Sequence, residues 1–512
     1  MKEKKLLAWA VAIALALTSC AGPDPDPTLS PRPAPTPAPP AEAERGMGFA
    51  LACYPGAGFH PITGENRLNL TFAPLIYRGL FQVGRNFQAE KDLCESYTVS
   101  QDGLVWTFQL KQAIFSDGSS LTAAETVSSL LTARRSQRYS GRLASVERIA
   151  AEGETVVVTL REPNGGLPLL LDIPIVKEGM DPQRPLGTGP YAIAETEGEL
   201  SLTARPGAQV PLASIPLYTV EAGDDLVYAF DSREISLVDT DLTGTNALGY
   251  SGRLETADYP TTTLLYIGCH MTSGPCRDQR VRQAIALAVD REETVERTLS
   301  GHAVASSLPV HPEGPGFDAS LAGEWGRDLE RAKALLEEAG WVLDQEGARK
   351  RGREELELRL VVNQDNTFKT AAVEDLAAVL QELGCRVTLD RLSWEDFMTT
   401  LERGQFDLFL GETALTPDFD LTSLLGQDGA LNYMGFSDAE TWEGMAQYRA
   451  ARGKERETTL VNLCGRVTEL APIIPICFKN GSLMTQWGQV TGARPAQRDV
   501  FAGFENWTIR NS

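Results

Sequence analysis

The chain has 512 residues, 42% apolar and 23% charged, with a formal net charge of −22. That is the composition of an ordinary globular protein with enough apolar residues for a sizeable core. So acidic a body excludes nucleic acid as a partner, because phosphate binding needs a basic face, and it keeps an anionic membrane surface at a distance.

Lys2, Lys4 and Lys5 precede an apolar run from Leu6 to Leu17, which is shorter than the roughly 20 residues of a resident membrane helix. A basic start, a short apolar stretch and a small-residue end are the layout of a secretory signal over residues 1–19. The end reads Leu17-Thr18-Ser19-Cys20 and resembles the lipobox of bacterial lipoproteins. That resemblance implies a lipid on the Cys20 thiol and a chain held at the outer face of the bacterial cytoplasmic membrane, extracellular or periplasmic. Residues 20–45 are rich in Pro and Ala, a composition that favours an extended spacer rising about 3.1 Å per residue. The roughly 470 residues beyond it suffice for two or three lobes, and none of their segments is apolar for long enough to span a membrane.

Past the spacer, strands and helices alternate. Asp102-Gly103 predicts a turn between strands Tyr97–Ser100 and Val105–Leu110, and a helix is expected to start near Ala123. Residues 356–411 predict strand, helix, strand, helix, strand: Leu356–Val362, Lys369–Leu383, Cys385–Leu392, Trp394–Glu402 and Phe406–Gly411. This is a βαβ pattern with covering helices, so the fold class is α/β. The seven cysteines after Cys20 are scattered and odd in number, unlike a disulfide framework. Neither they nor the four histidines have metal-ligand spacing, so no metal or other cofactor is expected. Cys269-His270 with Cys276 is the nearest approach to a cluster.

Several segments in chain order resemble solute-binding proteins of the oligopeptide, dipeptide and nickel group (family 5), which serve ABC importers. They are Val99–Leu110 with Ile114–Gly118 and Leu121–Glu125, then Leu186–Tyr191, Gly274–Ala284 with Ala288–Arg291, Ala332–Trp341, and Ala471–Pro475. The resemblance runs over about residues 70–480. It implies a two-lobed, periplasmic-binding-protein-like fold of the class II type with an extra subdomain. Lobe I takes residues 46–70, 182–266 and 480–512, the subdomain 71–181, and lobe II 267–479. It also implies a monomer that captures a small solute, in the first place a short peptide, and delivers it to importer permease subunits. Cys276 stands where the family usually has an aromatic. The Asp-Pro step that follows the amine-pairing Asp of many peptide binders is missing near Thr416–Leu421.

In α/β lobes, ligands sit beyond the carboxyl ends of strands. That nominates Glu412, Thr413 and the loop through Asp418 and Asp420 after the strand Phe406–Leu410. Either aspartate is a candidate to pair with a ligand amine. Trp394 is expected to stack on a ligand or to seal the core of lobe II, with core packing favoured. Tyr433 and the Tyr54–His60 loop complete the candidates, while Arg280, Arg282 and Arg291 are assigned to structural ion pairs. Two other classes stay open. One is a hydrolase using Glu412 with Asp418 or Asp420, although no nucleophile elbow or zinc-protease motif appears. The other is a ligand-sensing or adhesion lipoprotein of the same fold that is not coupled to import.

Overall fold

The computed structural model describes residues 48–510 apart from Met180 and Asn246. The signal segment 1–19, Cys20 and the spacer 20–45 lie outside the described residues.

Two long strands organise the rest. Leu254–Cys269 and Ile473–Gln486 run antiparallel, paired from Leu254 opposite Gln486 to Gly268 opposite Ile473. At one end Leu237–Thr240 joins the second strand. At the other end Leu408–Ala414 joins the first, followed by Glu357–Asn363 and then Arg386–Leu392, all three parallel to one another. Between Pro260 and Leu264 the register slips, four steps on the first strand against two on the second. Pro260 has no N–H for the ladder, and the surplus residues bulge there. Two of the three threonines at the bulge rebuild local order. Thr261 Oγ1 donates to the Lys479 carbonyl at 2.6 Å and Thr262 Oγ1 to the Leu415 carbonyl at 2.7 Å.

The crossing strands also divide the apolar interior. One cluster draws on Phe49, Trp106, Leu130, Leu202 and Trp507. Two others draw almost wholly on residues between Leu264 and Phe478. This is a two-lobed α/β architecture. Along the first crossing strand, aromatic rings lie over glycines on the neighbouring strands. A Cβ on Gly481 would sit 2.2 Å from Tyr259 Cζ, and one on Gly411 would sit 2.5 Å from Tyr266 Cζ. Those glycines are therefore fixed by the rings that cover them.

The βαβ segment appears as Glu357–Asn363, Thr367–Glu382, Arg386–Leu392, Trp394–Glu402 and Leu408–Ala414. The hairpin joins Cys94–Val99 to Val105–Leu110 through Gly103 at φ +75°. It lies in a four-stranded antiparallel sheet that buries Trp106, Phe108, Val156 and Val158 on one side, the period-two alternation of a half-buried strand. The helix Ala123–Arg135 opens on a capping box between Thr122 and Glu125, which satisfies otherwise orphaned N–H groups.

The ion-pair assignment needs correction at two of three arginines. Arg280 does pair with Asp278. Arg282 instead donates to the carbonyls of Leu470 and Cys276, and Arg291 to those of Pro475, Ala286 and Trp325. Both guanidiniums are buried and serve as cross-links between loop backbones rather than charge partners. All seven cysteines of the body are buried and free.

Candidate functional site

Two strands, Phe81–Val83 and Ala89–Lys91, form an antiparallel hairpin. Phe87, at φ +55° in its connecting loop, packs into the third cluster, whose other members lie between Leu264 and Phe478. Its ring lies 4.9 Å from His311 and 5.1 Å from Phe419. A second contact lies close by. Gly165 N donates to the Arg449 carbonyl at 2.6 Å, and a Cβ on Gly165 would stand 2.0 Å from the Ala451 carbonyl oxygen. Only a glycine lets the backbones meet this closely.

His311 is fully buried, and burial pushes its imidazole down to about 4 from the usual 6.5. Between those values the unfolded chain takes up a proton that the folded chain refuses. Its contribution to stability is therefore whole above about pH 6.5 and is lost as pH falls toward 4. The loss is about 3 kcal/mol at most. Urea-unfolding midpoints measured from pH 7 to 4 should show this decline, and His311→Phe should flatten it. An identical slope in the variant would assign the acid sensitivity to other groups.

Asp418 is buried beneath the same contact, its Oδ2 3.4 Å from Arg456 Nη2. Burial, and then the charge of Asp420, raise its carboxyl above the usual range, while Arg456 opposes them. Its backbone carbonyl accepts from the Tyr448 hydroxyl. It lines a cavity of about 320 Å³ between Gly165, Gly166 and Pro168 on one side and Phe419 and Leu460 on the other.

At the bulge of the crossing strands sits Lys479, its side chain only 3% exposed. Its Nζ lies 2.7 Å from Asp241 Oδ2 and 3.3 Å from Glu412 Oε2. Lys369 Nζ is also 3.3 Å from Glu412. Asp241 follows the strand Leu237–Thr240 on one side of the crossing pair, and Glu412 lies on Leu408–Ala414 on the other. One buried ammonium thus ties together strands on both sides of the crossing pair where the ladder breaks.

Beside this break in the ladder lie two cavities that share Leu70, Arg138 and Arg498. One, of about 360 Å³, reaches Thr261, Thr263, Lys479 and Asn480. Asn480 Oδ1 there is buried without a hydrogen-bond partner. The larger chamber, of about 490 Å³, extends from Arg138 and Arg498 to Arg78, Arg85 and Arg494. Five arginines line it, against the carboxylates of Glu90, Asp172 and Asp499. Asp172 is held by Arg142 and by Arg498 Nε at 3.4 Å, and Arg78 pairs with Asp92 outside the lining. Burial pushes the Asp499 carboxyl up to about 6.

Of the residues nominated from the sequence, Asp418 alone lines any of these cavities. Glu412 is engaged by Lys479 and Lys369. Thr413 falls on the opposite face of the strand and is half-buried. Asp420 accepts from Thr422 N at 2.7 Å and so is spent on a local turn at the start of a short helix. Trp394 is 57% exposed, with Phe397 as its aromatic neighbour, so the expectation of core packing fails. Tyr433 packs edge-on to Phe409 at 6.4 Å. The Tyr54 loop is tied down by Asn69, whose Nδ2 donates to the Tyr54 and Gly58 carbonyls. Sequence reasoning missed Arg138, Arg494 and Arg498. The available signal was two arginines close together in a Gly/Pro-containing C-terminal loop of a strongly acidic chain.

Two lobes on a pair of crossing strands, with chambers at the crossing, define the two-lobed periplasmic-binding class. The family model described as "Bacterial extracellular solute-binding proteins, family 5 Middle" matches residues 88–432, and the chain belongs to that family. The glutathione-binding protein GsiB of Salmonella typhi is 26% identical over 316 residues, 55% of this chain and 59% of GsiB. Protein XP55 of Streptomyces lividans is 28% identical over 351 residues, 64% of this chain and 63% of XP55. The chain thus spans about three fifths of the length of these curated relatives. The nickel ABC transporter structure from Bacillus halodurans has the same fold, with a TM-score of 0.74 at 18% identity, covering 89% of this chain and 98% of that one.

Proposed function

We propose that this chain is the capture component of an ABC importer. It closes its lobes on a small solute, in the first instance a short peptide, and presents the closed form to permease subunits. It does so as a monomer, held by a lipid on Cys20 at the outer face of the cytoplasmic membrane. The observation that carries the reading is the hinge: a ladder broken at Pro260–Leu264, bridged by Lys479 between Asp241 and Glu412, beside chambers large enough for a solute. A ligand that touches both sides of such a hinge selects the closed form, and no bond need be made or broken. Family membership and the likeness to GsiB support capture of a small solute. The boundaries given above for lobe I, the subdomain and lobe II belong to the same proposal.

The test is to denature the purified chain and identify what it releases by mass spectrometry. Thermal shifts with a panel of short peptides and metabolites would follow. Release of a defined small solute, or a shift equivalent to about 2.7 kcal/mol at a hundredfold excess over the dissociation constant, is expected. A chain that releases nothing and gains no stability from any member of the panel is not a solute receptor.

A further inference from the structure

The chain carries 69 acidic against 47 basic residues, yet the larger chamber beside the hinge reverses that balance. All of its lining cations are arginine. Among the described residues, no carboxylate lies within ion-pair reach of Arg85, Arg138 or Arg494, whereas Arg78 and Arg498 have one each. Arg85 spends its guanidinium on the carbonyls of Pro495 and Asp258. Arg138 lies over the ring of Tyr139, 5.5 Å from its centroid, and with Arg494 leaves a planar donor fork open to the chamber. Arg498 also lines the chamber, its Nε 3.4 Å from the buried Asp172. Guanidiniums that line one chamber repel one another unless an anion sits between them. The fork also matches a planar carboxylate through two parallel hydrogen bonds. Between these arginines and the three carboxylates, an apolar and aromatic stretch of wall that includes Leu70, Tyr77 and Pro174 would take the uncharged part of the same molecule.

We propose that the solute captured here carries at least two carboxylates, gripped between Arg138 and Arg494 over Arg498. This rests on the receptor reading above and replaces the carboxylate-to-amine pairing expected at Asp418 or Asp420. Acidic peptides and non-peptide polycarboxylates share the required chemistry.

Titration calorimetry on the purified chain with Glu-Glu, Ala-Ala, Lys-Lys, citrate and glucose 6-phosphate separates the outcomes. Glu-Glu or citrate should bind at least tenfold more tightly than Ala-Ala, and Lys-Lys should bind least. Arg138→Gln and Arg494→Gln should each weaken the preferred carboxylate by roughly tenfold or more, as for loss of a hydrogen bond to a charged group. Because both side chains are exposed, the melting temperature of the free variants should stay unchanged. Binding of Glu-Glu alone would assign a peptide cargo, and of citrate alone a non-peptide one, both upholding the proposal. Equal affinity for Ala-Ala or Lys-Lys, preference for the phosphate ester, or variants that bind as the parent does would overturn it while leaving the receptor reading intact. No stabilisation by any solute, here or in the wider panel, would overturn both.

Discussion

Phe87→Ala should leave both lobes folded and set them apart. Phe87 is 2% exposed although it sits in a hairpin loop, because its ring is buried away from the hairpin among His311 and Phe419. Truncating a buried Phe costs about 3–5 kcal/mol. In most proteins that cost falls on folding. Here the ring leaves its pocket whenever the lobes part, so the cost falls on closure. A loss of about 3 kcal/mol lowers the ratio of closed to open forms by roughly a hundredfold. The radius of gyration from solution scattering should rise, and the apparent affinity for solute should fall by a similar factor. The unfolding midpoint should move much less. Gly165→Ala provides a second route to the same state, since its Cβ would collide with the Ala451 carbonyl across the same contact. Unchanged scattering in both variants would show that this contact does not hold the lobes together.

The elements legible in the sequence were those specified by near neighbours. Helix Thr367–Glu382 presents Ala372, Leu376 and Leu380 at helical spacing, and all three are buried. Gly384, at φ +89°, ends that segment as a glycine after a helix should. The strands on either side followed from their Val and Leu runs. The site was harder, because it is assembled from distant parts. Arg138 follows a helix of the subdomain, and Arg494 and Arg498 lie in the C-terminal loop, more than 300 residues later. No local pattern joins them. Glu412 was misjudged for a related reason: it ends an apolar strand, as a cleft carboxylate would, but its partners are 43 and 67 residues away at Lys369 and Lys479. Trp394 opens a helix whose inward face is Phe397 and Leu401, which leaves the first residue outside. Residue type suggested burial, and position on the helix decided against it.

Glu412 and Asp241 also set what Lys479→Met should do. The variant removes an ammonium that is almost wholly buried and faces two carboxylates. Breaking one partner out of a buried ion pair costs about 3–5 kcal/mol, since the remaining charge is left uncompensated. Here the carboxylates are less enclosed, with side-chain exposures of 32% for Asp241 and 23% for Glu412, and Glu412 keeps Lys369. Water can therefore recover part of the loss, and about 2–3 kcal/mol is the expected cost. The decisive comparison is with the variant that also carries Asp241→Asn and Glu412→Gln. If the damage comes from stranded charge, the triple variant should be more stable than Lys479→Met alone, because removing all the charges removes the penalty. If it comes from lost packing along the crossing strand, the triple variant should be no better. Denaturant midpoints settle which. Scattering on the same variants then separates folding from hinge angle, since Asp241 and Glu412 fall in different lobes under the proposed boundaries and no other ammonium contacts both among the described residues. A hinge held by this bridge should open when the bridge is removed, even in the triple variant whose stability has been restored.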